Sequence, residues 1–447
     1  MSSRRLLLLI MAIAVAGCEA SAPTAAPPAR DDLPVVKPAA EDWPWWRGPH
    51  WDNIAAEGQT PPVHWSPTEN VIWKAEVPGR GHGSPCIWGN SIFLPTADDE
   101  AEVQYLLCYD RRNGQKRWQT ELHRKGFVHI NPKTSHASAS PACDGSLVFM
   151  PFVIQDGIWL SALDFTGKIV WQKRLGDFHS MHGFAASPVV YRSLVIVAAD
   201  NLQNSFLAAV HRRTGELVWK TDRPSYRLGT YASPALGYVA GRDQLLLHGP
   251  MKVFAYDPLS GKELWTCDGP SESASSTMSF SGDLVYSSVG FPQRNMLCIR
   301  ADGHGDVTGT HVVWSKKNKM AYVPSLLLAK ELLYMVEDDG KLACFEAGAG
   351  AVVWTAKLEG HFSSSPTLAG GHIYVVNEDG VTFVFKPGRK FELVAKNALG
   401  DGGFATPVIC TSRIYLRTLH GLYCLGRQAT PSLVCKKLNY STISAER

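Results

Sequence analysis

The chain has 447 residues, and at about 150 residues per domain that length points to roughly three domains. Hydrophobic residues make up 45% and charged residues 19%, which excludes a disordered chain, while 39 Gly, 28 Pro and 14 Trp favour a turn-rich β protein over helical bundles. Lys plus Arg is 44 and Asp plus Glu is 41, a net charge of +3, so nothing electrostatic supports nucleic-acid binding or a polybasic grip on a membrane.

Residues 1–17 read as an export signal: Arg4 and Arg5 lead an apolar run from Leu6 to Val15 that is too short to span a bilayer as a mature helix. Val15-Ala16-Gly17-Cys18 is similar to a bacterial lipobox, in which cleavage precedes the Cys and its thiol carries lipid. An ordinary signal with a chance Cys is the other reading, and the order of charge, apolar run, small residues and Cys18 favours lipidation. Residues 18–42 are rich in Pro and Ala and read as a stiff tether. Aromatic density rises at Trp43-Pro44-Trp45-Trp46-Arg47-Gly48-Pro49, where ordered structure is expected to begin.

From there one phrase recurs. Asp110…Gly114…Trp118, Asp164…Gly167…Trp171, His211…Gly215…Trp219, Asp257…Gly261…Trp265 and Glu346…Gly350…Trp354 all place Trp four residues after Gly. An Asp caps such a turn with its own side chain, Gly accepts φ > 0, and the following run alternates as a strand. Arg300 to Trp314, with an insertion, and Phe385 to Leu393, without Trp, are degenerate members. Between these lie small-residue–Pro pairs that start strands: Ser84-Pro85, Ser140-Pro141, Ser187-Pro188, Ser233-Pro234, Ser365-Pro366 and Thr406-Pro407. Ser276-Thr277 and Pro324-Ser325 occupy the two remaining slots.

Each unit is four short strands, at a period in the propeller-blade range of about 40–50 residues. The last unit lacks a Trp strand, and Val71-Ile72-Trp73-Lys74 stands unpartnered before the first. Pairing the two closes the ring and removes an exposed edge. The expected fold is all-β: an eight-bladed β-propeller of four-stranded antiparallel blades over residues 43–426, closed by an N-terminal strand, with a tail at 427–447. Seven blades is the alternative if the degenerate fifth unit is an insertion. Trp73, Trp118, Trp171, Trp219, Trp265, Trp314 and Trp354 are expected to be packing anchors between blades rather than ligand contacts, because one residue type repeats around the ring.

Cys108, Cys298, Cys344 and Cys424 share one third-strand position, which fits small buried residues; a Cys108–Cys424 bridge between neighbouring blades is the alternative. No Cys-x-x-Cys, P-loop, Gly-x-Ser-x-Gly or His-Glu-x-x-His occurs. The loops before the small-Pro pairs converge on one end of the channel. They carry four of the 15 His, at His82, His136, His182 and His361, together with Arg227, Tyr231, Glu272, Lys319 and Asp401. These residues are either a polar funnel for a ligand or metal, or solvated loop side chains.

Asp164 to Trp171 and Asp257 to Trp265 resemble the pyrroloquinoline quinone (PQQ) repeat, and the resemblance spans about residues 43–426. That family holds quinoprotein alcohol dehydrogenases and BamB-like lipoproteins. Trp45-Trp46-Arg47-Gly48-Pro49 and the segment Gly305 to Trp314 look like a planctomycete-type subfamily. The dehydrogenases hold PQQ against a vicinal disulfide over Ca²⁺, and this chain has no Cys-Cys pair. The resemblance implies a monomeric, lipid-anchored propeller in the bacterial cell envelope, on its periplasmic or extracytoplasmic face. It would be a non-catalytic scaffold binding envelope proteins or a small ligand. The alternative is a PQQ- and Ca²⁺-dependent dehydrogenase, with Asp401 or Glu272 as the nominated base, or another enzyme using the central funnel.

Overall fold

A computed structural model of the protein describes residues 33–155, 157–269, 271–318 and 320–427. The signal at 1–17, Cys18, the first part of the tether, Lys319 and the tail from 428 lie outside the described residues. Eight antiparallel sheets form a ring, and each takes its first strand from a small-Pro slot. Blade 1 spans Cys86–Arg124, blade 2 Ala142–Asp177, blade 3 Val189–Asp222 and blade 4 Ala235–Asp268. Blade 5 spans Ser279–Lys317, blade 6 Leu327–Lys357 and blade 7 Thr367–Ala398. Blade 8 joins Val408–Leu425 to the N-terminal strand Val71–Glu76, in antiparallel register from Val71↔Leu425 to Glu76↔Gly421. The strand that precedes the first unit therefore closes the ring.

The degenerate fifth unit is a complete blade, which removes the seven-blade alternative. Its insertion returns to blade 4, where Gly305–Asp306 adds a fifth strand parallel to Glu263–Asp268. This cover leaves Trp265 fully buried, with its Nε1 donating to Gln244 Oε1 inside its own blade at 2.8 Å.

The Trp phrase is a bulge. In every blade the fourth strand skips one residue just before the Trp position: Ile72, Arg117, Val170, Val218, Leu264, Val313, Val353 and Val394. The extra residue turns the following side chain towards the next blade. Trp73, Trp118, Trp171, Trp314 and Trp354 each donate Nε1 to a turn carbonyl of the next blade, at 2.8–3.1 Å. The indoles also lie on the turn glycines of the next blade. A Cβ on Gly114, Gly167, Gly215, Gly261 or Gly350 would meet the indole of Trp73, Trp118, Trp171, Trp219 or Trp314 at 2.4–2.7 Å. Gly is thus required twice over, for its positive φ and for the indole against it.

The register also explains the cysteines. Cys108, Cys298, Cys344 and Cys424 are the cross-strand partners of Trp118, Trp314, Trp354 and Trp73, and Ala162, Ala209 and Ala255 hold the same position opposite Trp171, Trp219 and Trp265. A small side chain is needed opposite an indole. All eight described cysteines are free and buried, so Cys108 and Cys424 are not bridged. Blade 7 corrects the sequence alignment. Ala395, not Leu393, stands at the Trp position, opposite Val384.

Candidate functional site

The small-Pro slots build the wall of the central channel. A residue before Pro is held extended, which fixes the direction of its own N–H. The N–H of Ser84 donates to Ser140 Oγ, that of Ser140 to Ser187 Oγ, and that of Ser187 to Ser233 Oγ, at 2.8–2.9 Å. The relay resumes from Thr277 to Ser325, Ser365, Thr406 and back to Ser84, at 2.9–3.0 Å. At the gap, the N–H of Tyr231 donates to Ala274 O at 2.8 Å instead. Within the two irregular slots it is therefore Thr277 and Ser325 that take the repeat position.

These hydroxyls surround a cavity of about 430 Å³. Its floor is Trp46, whose indole Nε1 donates to Thr277 Oγ1 at 2.9 Å. The next residue, Arg47, is buried and anchors the floor by donating to the carbonyls of Trp51 and Leu326 and to Ser279 Oγ. Burial lowers its pKa to about 10. Phe184, Phe362, Phe404, Tyr231 and Tyr322 form the upper wall. Lys133, on the loop between blades 1 and 2, reaches across the mouth to Glu378 of blade 7 at 3.0 Å. Ser363 Oγ donates to the same carboxylate at 2.8 Å. Asp338 also lines the cavity, and its carboxylate accepts the N–H groups of Tyr322 (2.9 Å) and Val323 (3.2 Å).

The loop residues expected to form a funnel divide. His82, His182, Tyr231 and His361 line the cavity. The ring of His82 stacks on Phe404 with centroids 4.1 Å apart, and its buried Nε2 has no protein partner. Burial, helped by the charges of Arg417 and Arg80, lowers its pKa to about 3, so the ring is a neutral imidazole. His182 leans on Tyr231 at 5.7 Å, and the Tyr231 hydroxyl donates to Leu228 O at 2.8 Å. The other described residues face elsewhere. His136 stacks on Phe127 in a side crevice, with Nδ1 on Asp99 at 2.9 Å and Nε2 on Val128 O at 3.0 Å. Arg227 and Glu272 form an ion pair at 3.0 Å outside the cavity. Asp401 holds His420 through Nδ1 (2.9 Å) and the backbone N–H (3.1 Å), also outside it. Lys319 lies outside the described residues.

Sequence reasoning missed Trp46, Lys133, Asp338 and Glu378. A signal was present for the last two, in the parallel turn phrases Glu337-Asp338-Asp339-Gly340 and Asn377-Glu378-Asp379-Gly380. Trp46 stands out only as part of the aromatic run at 43–46, and no local pattern marks Lys133; both reach the channel from segments outside the repeat.

The donor set does not fit PQQ over Ca²⁺. Among the described residues no group of three or more His, Cys, Asp or Glu side chains is arranged to hold a metal ion. The one ammonium or guanidinium on the described lining is Lys133, which pairs with Glu378 at the mouth.

A family model described as outer membrane protein assembly factor BamB matches residues 102–346 and 305–387, together more than half of the chain. No curated protein matches the sequence. Among solved structures, BamB from Moraxella catarrhalis superposes with a TM-score of 0.57 at 15% identity, over 79% of this chain and 99% of that one. A europium-containing methanol dehydrogenase gives 0.62 at 12% identity, over 86% and 91%. The quinohemoprotein alcohol dehydrogenase from Comamonas testosteroni gives 0.62 at 12%, over 87% and 81%. At these identities the likeness is one of fold.

Proposed function

The chain belongs to the PQQ-repeat family whose model is described as outer membrane protein assembly factor BamB, and from that premise we propose that it is a non-catalytic binding propeller of the cell envelope. The observation that supports binding over catalysis is the state of the cavity's charges. Lys133 and Glu378 neutralise each other across the mouth, and Asp338 is capped by two backbone N–H groups. Both carboxylates of the lining are engaged in this way, which favours a positioning role for them over that of a general base. The hydroxyl ring and aromatic wall remain as a rigid, small-molecule-sized recess.

Export and a lipid at Cys18 complete the proposal. Val35, Val36, His50 and Glu57 are among the residues of the N-terminal segment that line a separate recess beside Arg192 and Tyr238. Cys18→Ser is expected to release the protein from membranes, and unchanged fractionation would remove the anchor from the proposal. For the choice against a dehydrogenase, purified protein is supplied with PQQ and Ca²⁺ and assayed for dye-linked alcohol and sugar oxidation. No turnover is expected. Clear turnover that disappears in Asp338→Asn overturns the binding reading.

A further inference from the structure

We infer that the cavity takes a neutral polyhydroxylated small molecule, a mono- or disaccharide, gripped by the hydroxyl ring, His82 and the aromatic wall. This rests on the binding function proposed above and names its ligand class.

Hydrogen-bond capacity points to the class. Ser84, Ser140, Ser187, Ser233, Ser325 and Thr406 each spend an oxygen lone pair on a neighbour's N–H. None donates its own hydroxyl proton to a protein acceptor among the described residues. A ring of O–H donors therefore lines the waist with nothing in the fold to receive them. His82 adds a neutral imidazole to the cavity wall, stacked on Phe404, with its Nε2 enclosed in the protein.

The remaining choice is between a neutral polyol and an oxyanion, and charge decides it. The cavity carries the carboxylates of Asp338 and Glu378; Lys133 pairs with Glu378, and Arg294, outside the lining, reaches Asp338 at 3.7 Å. An anion would enter a site with no free cation, whereas a sugar hydroxyl both accepts from the ring and donates to a carboxylate. Trp46 below and Phe404 beside His82 supply flat apolar faces for the sugar's C–H groups. The volume of about 430 Å³ lies in the small-molecule range.

The test is saturation-transfer NMR on the full-length protein with glucose, galactose, N-acetylglucosamine and maltose, beside ³¹P NMR with inorganic phosphate and calorimetry with citrate. Transfer to sugar ring protons is expected, with no phosphate or citrate binding. His82→Phe keeps the stack on Phe404 and removes both ring nitrogens from the wall. Ser187→Thr places in that slot the residue already standing at 277 and 406, narrowing the waist by a methyl. Each is expected to weaken sugar binding at least tenfold with a melting temperature unchanged above about pH 7. Binding of phosphate or citrate in place of sugars overturns the polyol class while leaving a binding protein. Sugar binding that survives both variants places the ligand elsewhere and overturns the assignment. Absence of binding by any probe overturns it too, and only accompanying PQQ-dependent turnover would also overturn the proposed function.

Discussion

Trp65 stacks on Tyr374, with ring centroids 6.4 Å apart and planes 17° from parallel. In other blades the second-strand aromatic meets the Trp of its own fourth strand: Tyr415 with Trp73, Tyr334 with Trp354, Tyr286 with Trp314, Phe149 with Trp171 and Phe93 with Trp118, all at 5.9–6.2 Å. Blade 7 has Ala395 at that place. Trp65, from the segment before the ring, is buried beside Tyr374, Val384 and Ala395 and supplies the missing indole. Asn397 fastens it, accepting the Trp65 N–H at 3.1 Å and donating to Val63 O at 2.9 Å. The degenerate repeat is thus completed from a distance.

Trp65→Ala is expected to cost about 3–5 kcal/mol, the usual loss for a buried indole. In a double-mutant cycle with Tyr374→Ala, the coupling should be about 0.5–1.5 kcal/mol. Urea denaturation of the four proteins measures it. Full additivity would show that Trp65 does not serve blade 7.

Two glycine substitutions separate strain from packing. Gly241 has φ +78° and open space around it, whereas Gly215 has φ +69° and the Trp171 indole 2.7 Å from a would-be Cβ. Gly241→Ala should cost only the left-handed penalty of about 1–2 kcal/mol. Gly215→Ala should cost about 1–3 kcal/mol more, since the indole must shift in a packed interface. Equal losses in thermal unfolding would discount the indole–glycine contact.

The hydroxyl ring predicts a stability effect at its closure. Ser84→Ala leaves the buried N–H of Thr406 without its acceptor at 3.0 Å, and should cost about 1–3 kcal/mol. Ser84→Thr restores the acceptor and should recover most of that loss. Chemical denaturation of the three proteins is the check, and a neutral Ser84→Ala would mean the ring carries no stability.

Acid should weaken the fold before its carboxylates titrate. His248 is fully enclosed, with Nδ1 facing Ser276 O and Nε2 facing Ser287 Oγ, and burial lowers its pKa to about 4. His123 is likewise lowered to about 4 by burial, and His82 to about 3. The unfolded chain, with histidine near 6.5, binds more protons than the native one between pH 6.5 and those values. Stability is therefore complete above about pH 6.5 and falls as pH drops towards 4, by at most about 1.4 kcal/mol per pH unit for His248. His82→Phe should flatten the dependence of melting temperature on pH between 4.5 and 6.5, and an unchanged slope would contradict a neutral His82.

The described thiols should be inert. Burial raises Cys108, Cys344 and Cys424 to about 11 and Cys298 and Cys410 to about 12. A thiol reagent should leave these five unmodified until the protein is unfolded, and reductant should not move the melting temperature. A drop on reduction would reveal a bridge.

Architecture was legible because its causes are local and recur along the chain. A Gly that must turn, a Trp four residues on and a small residue before Pro each act within one blade, and repetition exposes them. The same logic identified the closing strand at Trp73, since a ring leaves neither a strand nor an edge unpaired. By itself, then, the sequence determined a propeller of repeated blades, their order and the place of closure, and the pairing of the degenerate fifth unit decided eight over seven. The bulge, and with it the shift from Leu393 to Ala395, appeared only once strands were paired, because a skipped residue has no signature in a single strand. The site was decided almost wholly by tertiary structure. His82 faces the cavity while His136 and Asp401 are turned away by Asp99 and His420, partners distant or unmarked in the repeat. Trp46, Trp65 and Lys133 do their work on residues of remote blades, and no spacing along the chain records a contact made across the ring.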